Sequence, residues 1–225
     1  VKLSSDLLCT FINRLEGASL SGVVFNDNGM GSSGVANDGI QNGSEAGLGN
    51  VLIKLTNCAG TILGSTTSTQ GSGAYTLLVP TSVSSGDTIC IEEVNPSYLS
   101  SNVAPSFQAS YTRASDKISL VWSGVSVTGV NFGDVATAKL VSNNQKNIAP
   151  GSSIVLAHTF IAGTGGQVSF TIQSVNSTPL LTGWSESIYL DANCDANLDS
   201  TSAEQLLTTP ISVIANQEVC LLIKV

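Results

Sequence analysis

The chain has 225 residues, 42% of them apolar and only 11% charged, and 16 acidic against 8 basic side chains leave a net charge of −8. That length allows one large or two small domains, and the apolar share is enough to build a core, which excludes a disordered chain. The acidic balance argues against a nucleic-acid partner, which requires a clustered basic face, and works against anionic membranes, while no apolar run approaches the roughly 18 residues of a membrane-spanning helix.

In chain order, residues 7–15, LLCTFINRL, alternate and then stop at the charged connector Arg14-Leu15-Glu16-Gly17. Residues 1–14 therefore read as the last strand of a preceding domain or as a linker. The runs SLSGVVF, NVLIKLTN, GTILGSTTST, AYTLLVP, DTICIEEV, KISLVW and VSVTGVNF follow, separated by Gly, Asn, Ser or Pro clusters. In NVLIKLTN, Val51, Ile53 and Leu55 share one face and Leu52, Lys54 and Thr56 the other, a period of two that marks a strand. Asn57-Cys58-Ala59-Gly60 and Ser72-Gly73 read as hairpin turns. After Asp134-Val135 the pattern restarts with AKLVSNN, SSIVLAHTFIA, QVSFTIQSV, WSESIYLD, ISVIA and EVCLLIKV. No stretch sustains a 3.6-residue apolar period, and ASDKISLV and SAEQLL have room for a short turn at most. Short strands with no helices between them predict an all-β chain of two tandem antiparallel β-sandwiches, residues 15–135 and 136–225. The start shows no secretory signal, and the chain stops on the strand-like LLIKV, so a segment of a longer protein is expected.

The five cysteines, Cys9, Cys58, Cys90, Cys194 and Cys220, stand singly with no CxxC, which argues against a zinc ribbon or a redox pair. Under the two-domain division Cys58 and Cys90 share the first unit, and Cys194 and Cys220 the second. A bridge in each would close a loop of about 30 residues and contribute roughly 3–4 kcal/mol in the loop-entropy account. Buried free thiols are the other reading. Cys9 is left over, with any partner expected upstream.

Two Asp/Asn-rich loops carry the chemistry. Ca²⁺ takes six to eight hard oxygens, supplied in a D-x-[DN]-x-[DN]-G-x5-E loop at fixed positions with a bidentate carboxylate closing the shell. The stretch DGIQNGSE fits the second half of such a loop. Asp38 takes the fifth position, Gly39 the sharp turn, the Ile40 carbonyl the seventh, Asn42 the ninth and Glu45 the twelfth. Its first half fails, because Gly34 and Ala36 stand where side-chain oxygens belong; Asp27 or Asn37 would have to supply them, with residues 29–35 looping outward. In YLDANCDANLDSTSAEQ the front half is intact. Asp191, Asn193 and Asp195 take the first, third and fifth positions, and the Asn197 carbonyl and Asp199 the seventh and ninth. Ala196 replaces the usual Gly, and Ser202 stands where a carboxylate should close the shell, with Glu204 two residues beyond. Three carboxylates within nine residues repel unless a cation neutralises them. Against both loops stands the plain alternative that Asp, Asn and Gly are ordinary turn formers.

The segments SLSGVVFNDNG and NDGIQNGSEAGLGNVLIKLTN, with Gly73-Ala74-Tyr75, resemble the B-type repeat of SdrD-like bacterial surface proteins. That pattern is a Gly-Val-Phe-x-Asp opening, an Asp/Asn-Gly calcium loop ending in Glu, then Gly-x-Val-x-Leu and Gly-x-Tyr strands. The likeness covers residues 18–80 closely and runs more loosely to 135; the insertion between Asp27 and Asn37 departs from it. Pro150-Gly151-Ser152, His158-Thr159 and the YLDANCD loop are similar to repeat domains found beside such units, and Cys9-Thr10-Phe11-Ile12-Asn13 is similar to the end of a preceding one. The resemblance implies Ig-like or transthyretin-like sandwiches holding structural Ca²⁺ at both loops. It implies a non-enzymatic stalk or adhesin segment, extracellular or on the bacterial cell surface, that supports adhesion or biofilm formation. Its partners would be neighbouring repeats of the same chain and a protein or glycan ligand on a host or neighbouring cell.

Other chemistry has less to stand on. A binding module could grip carbohydrate or a host protein through Trp122, Trp184, Tyr98 and Tyr111, although these serve equally as core residues. The only histidine, His158, sits in an alternating run as a strand side chain would. Gly183-Trp184-Ser185-Glu186-Ser187 lacks the closing Gly and the strand–helix context of a nucleophile elbow. Glu92 and Glu93 are strand neighbours and point to opposite faces, so they cannot act as a paired acid and base. The Glu92–Tyr98 stretch, with Asn131 on a late strand, also resembles pilus domains that form a Lys–Asn isopeptide bond. Here SGVVFND has no Lys, and Lys54 alternates away from the expected core.

Overall fold

The computed structural model describes residues 17–141, 146–149, 151–172, 183–199 and 204–225. The expected strand in residues 1–14, with Cys9, lies outside them. Nine strands form the first sandwich: β1 (Ser19–Asn26), β2 (Leu52–Thr56), β3 (Ile62–Thr67), β4 (Ala74–Leu78), β5 (Thr88–Val94), β6 (Tyr98–Ser100), β7 (Ser110–Thr112), β8 (Lys117–Val121) and β9 (Phe132–Ala136). They make a four-stranded sheet ordered β4-β1-β9-β6 and a five-stranded sheet ordered β3-β2-β5-β8-β7. The period of two read from the sequence decides what lies between the sheets. Leu20, Val24, Leu77 and Phe132 point inward from one sheet, and Ile53, Leu55, Ile89, Ile91 and Ile118 from the other; all are at most 2% exposed. Burying each such side chain contributes roughly 1.5–3 kcal/mol.

The strand pairs of this sandwich are antiparallel, β2–β3 and β7–β8 between consecutive strands and β1–β4, β2–β5, β5–β8 and β6–β9 between strands further apart. The exception is β1 with β9, which run parallel, Val24 opposite Phe132 and Asn26 opposite Asp134. A parallel pair requires a long return path, and almost the whole sandwich supplies it. Gly22 makes the approach possible: a Cβ there would fall 1.8 Å from the Val130 carbonyl oxygen. The sequence pattern missed β6 and β7, three residues each and too short to show alternation.

The remaining strands are β10 (Lys139–Val141), β11 (Val155–Ile161), β12 (Gly166–Val168), β13 (Ser187–Asp191), β14 (Glu204–Leu206), β15 (Ile211–Val213) and β16 (Glu218–Lys224). A five-stranded sheet ordered β10-β11-β16-β13-β14 faces the short pair β12-β15. Its own core gathers Ala162, Val213, Val219 and Leu221, with Phe160 and Phe170 meeting edge to face at 5.2 Å. Disulfides join Cys58 to Cys90 and Cys194 to Cys220. The chain is thus all-β, and no described helix is long and apolar enough to cross a membrane.

Candidate metal centre

Among the described residues, two groups of three carboxylates bring their oxygens within 4.8 Å of one another and can hold a metal ion. The first is built on the β13–β14 hairpin. Asp191 ends β13 and stands directly opposite Glu204, the first residue of β14. Ladder register therefore brings in the carboxylate that loop counting placed two residues too late, and Asp195 completes the group. Asp191 is only 2% exposed; its Oδ2 accepts the Ala196 N–H at 3.0 Å, while Oδ1 has no hydrogen-bond partner. Asp195 accepts the Asn193 amide at 2.9 Å and the Asn197 N–H at 2.8 Å, so these neighbours orient it. Asn197 and Asp199 are exposed at the rim. Ala196 adopts φ +64°, the left-handed turn that explains why Gly is usual at the sixth position. The Cys194–Cys220 bond ties this loop to β16, the neighbour of β13.

The loop between Asp27 and Glu45 is ordered differently. Asp27 is fully buried, and its carboxylate accepts the Asp38 N–H at 3.2 Å, the Gly39 N–H at 2.9 Å and the Ser101 hydroxyl at 2.6 Å. Glu45 accepts the N–H groups of Gly29 and Asn42 at 2.8 and 3.0 Å. Burial pushes its carboxyl up from the ordinary range, and those two donors pull it back. Asp38 takes the Ile40 N–H at 2.8 Å and the Asn42 amide at 2.9 Å, while Asn42 accepts from Val35 at 2.7 Å. Gly39 turns at φ +75° against the backbone of Val103, where a Cβ would come within 2.7 Å. Asp27 does reach back to the distal half of the loop, as the sequence suggested. It meets backbone donors there, and Asp38 and Glu45 likewise accept N–H groups of the loop. At the outer edge, the Asn37 amide donates to the Gly165 carbonyl at 3.3 Å, and Gly165 N–H donates to the Asn28 carbonyl at 3.2 Å. The loop thereby also touches the second sandwich.

Sequence reasoning missed the second carboxylate group: Glu93 on β5, Asp116 just before β8 and Asp134 on β9, all buried. Its signal was present in the alternation. Glu93 continues the inward phase of Ile89 and Ile91, and Asp134 continues that of Val130 and Phe132. Asp134 Oδ2 accepts the Asn95 amide at 2.6 Å, and Asp116 Oδ1 accepts the Tyr111 hydroxyl at 2.8 Å. Burial, reinforced by the charge of Asp134, pushes Glu93 up to about 11. Burial likewise raises Asp134, and raises Asp116 to about 6 against the pull of its hydroxyl neighbours.

Other sequence candidates fall elsewhere. Trp122 is 3% exposed in the first core and is not available as a surface contact. Trp184 lines an open cleft of about 510 Å³ with Tyr189 and Lys224, and Tyr98 is half-buried on β6. His158 lies in β11 opposite Leu221, and burial lowers its pKa. Lys54 stands opposite Glu92 across β2 and β5, and the Asn131 side chain accepts the Val23 N–H. Compared with models of known protein families and with curated proteins, the chain matches none.

Proposed function

We propose that this chain is a non-enzymatic, calcium-stabilised stalk segment of a bacterial cell-surface or secreted adhesin. The observation that carries the reading is the Asp191–Asp195–Glu204 group. It holds three carboxylates, one of them buried with an unpartnered oxygen, on a loop whose spacing suits Ca²⁺. All-oxygen donors favour a hard cation over zinc or copper, which prefer nitrogen and sulfur. A bound ion would tie β13, β14 and the intervening loop together. The SdrD-like resemblance supports the same reading, as do the two disulfides, which suit an oxidising exterior. The parallel β1–β9 pair suits a load-bearing role. Tension entering at the start of β1 and leaving at the end of β9 shears their hydrogen bonds together instead of opening them one by one.

The test is thermal melting with saturating calcium and again with EDTA. An ion at a hundred times its Kd adds about 2.7 kcal/mol to stability, which for a unit of this size is on the order of 10 °C. A fall of that order in EDTA, abolished in Asp191→Asn/Asp195→Asn, is expected. An unchanged melting temperature overturns the calcium reading.

A further inference from the structure

Buried carboxylates cost stability unless they are paired, hydrogen-bonded or neutralised. Glu93, Asp116 and Asp134 meet that problem in its sharpest form. Glu93 is 5% exposed and neither of its oxygens makes a well-formed hydrogen bond, with the Asp134 carboxyl and the Asn95 amide close enough to act on it; Asp134 is 1% exposed and its Oδ1 likewise has no N–H or hydroxyl donor. Asn26, the register partner of Asp134 on β1, adds a buried Oδ1 that is also unpartnered. No lysine or arginine is among the groups that act on these three carboxyls. Their oxygens converge within 4.8 Å, so three acidic groups face one another between the sheets.

We propose that this cluster is a second, independent divalent-cation site, of the calcium class, that clips the two sheets of the first sandwich together. Glu93 belongs to the five-stranded sheet and Asp116 leads directly into its strand β8, with Glu93 N–H donating to the Asp116 carbonyl at 3.0 Å. Asp134 belongs to the four-stranded sheet. An ion among them is therefore ligated from both sides of the sandwich, at the end of the parallel β1–β9 pair. Three carboxylates, each able to bind through two oxygens, and the Asn26 carbonyl oxygen reach the six to eight oxygens that Ca²⁺ takes at 2.3–2.6 Å. Mg²⁺ fits less well, since it retains waters and demands an octahedral shell. Zinc lacks nitrogen and sulfur donors here. The clip acts between sheets that the Cys58–Cys90 bond does not join, because β5 and the β2–β3 turn lie in one sheet.

Native mass spectrometry of the full chain in calcium tests this. Glu93→Gln/Asp134→Asn, nearly isosteric and relieved of charge, is compared with wild type and with Asp191→Asn/Asp195→Asn. Loss of one bound ion from the Glu93/Asp134 variant is expected. An unchanged ion count in that variant overturns the proposal and leaves a cluster that merely shares protons. The Asp191/Asp195 variant reports on the hairpin loop alone, so failure of either site is read separately. Should the Glu93/Asp134 variant not fold, terbium replaces calcium in the wild type and in Tyr111→Phe, with emission excited through tyrosine. The Tyr111 hydroxyl lies 2.8 Å from Asp116, so loss of sensitised emission in Tyr111→Phe supports the site, and undiminished emission overturns it.

Discussion

Asp27→Ala is expected to lower the unfolding free energy by about 4 kcal/mol, among the largest effects of any single substitution in this chain. The carboxylate it removes is fully buried and receives two backbone N–H groups and the Ser101 hydroxyl. Hydrogen bonds to a charged acceptor contribute about 1.5–3 kcal/mol each, and deleting the acceptor leaves buried donors unsatisfied. The Gly39 N–H is the most exposed to this penalty, because the turn that presents it is wedged against Val103 and cannot reorient toward water. Asp27→Asn keeps one acceptor and should fall between Ala and wild type. Denaturant titration checks both. A cost below about 1 kcal/mol would show that the loop is ordered by something else.

The second large effect is an inverted pH dependence in calcium-free buffer. Glu93 titrates at 4.5 in the unfolded chain and is pushed up to about 11 in the fold. Between those values the unfolded chain has released the proton and the folded chain retains it, so stability falls as pH rises. Each pH unit costs at most about 1.4 kcal/mol per proton. Asp116, rising from 3.8 to about 6, adds a loss of the same sign at the acidic end. The groups facing Glu93 are Asp116, Asp134, Asn95 and the buried Tyr75, and none of them supplies a positive charge to oppose the trend. The calcium-free chain should therefore melt higher at pH 5 than at pH 8, with most of the difference gone in Glu93→Gln. A rise in melting temperature from pH 5 to pH 8 would contradict the account. Most proteins stabilised by ionised carboxylates lose stability on acidification.

Much of this was legible in the sequence where one rule governed the residues. Alternation in NVLIKLTN and DTICIEEV identified β2 and β5, because an inward apolar face cannot slip by one residue without exposing itself. The hairpin loop was legible as a carboxylate cluster because Asp191 and Asp195 are close in sequence. What the sequence could not show is what arises only in the fold. The β1–β9 pair joins residues more than a hundred apart. Glu204 meets Asp191 through ladder register and not through loop spacing. Glu93, Asp116 and Asp134 come from three separate segments. The Asp27 loop taught the complementary lesson. Its Asp, Asn and Glu spacing satisfies two different physics equally, since an oxygen that can ligate Ca²⁺ can also accept an N–H. In the structure the loop amides meet these carboxylates.

The most direct test of the central claim is a crystal structure of the chain grown in calcium, with anomalous density measured at the β13–β14 hairpin. The account predicts an ion within 2.3–2.6 Å of the oxygens of Asp191, Asp195 and Glu204. A hairpin whose carboxylates stay hydrogen-bonded to the loop and to water, with no ion among them at saturating calcium, would contradict it.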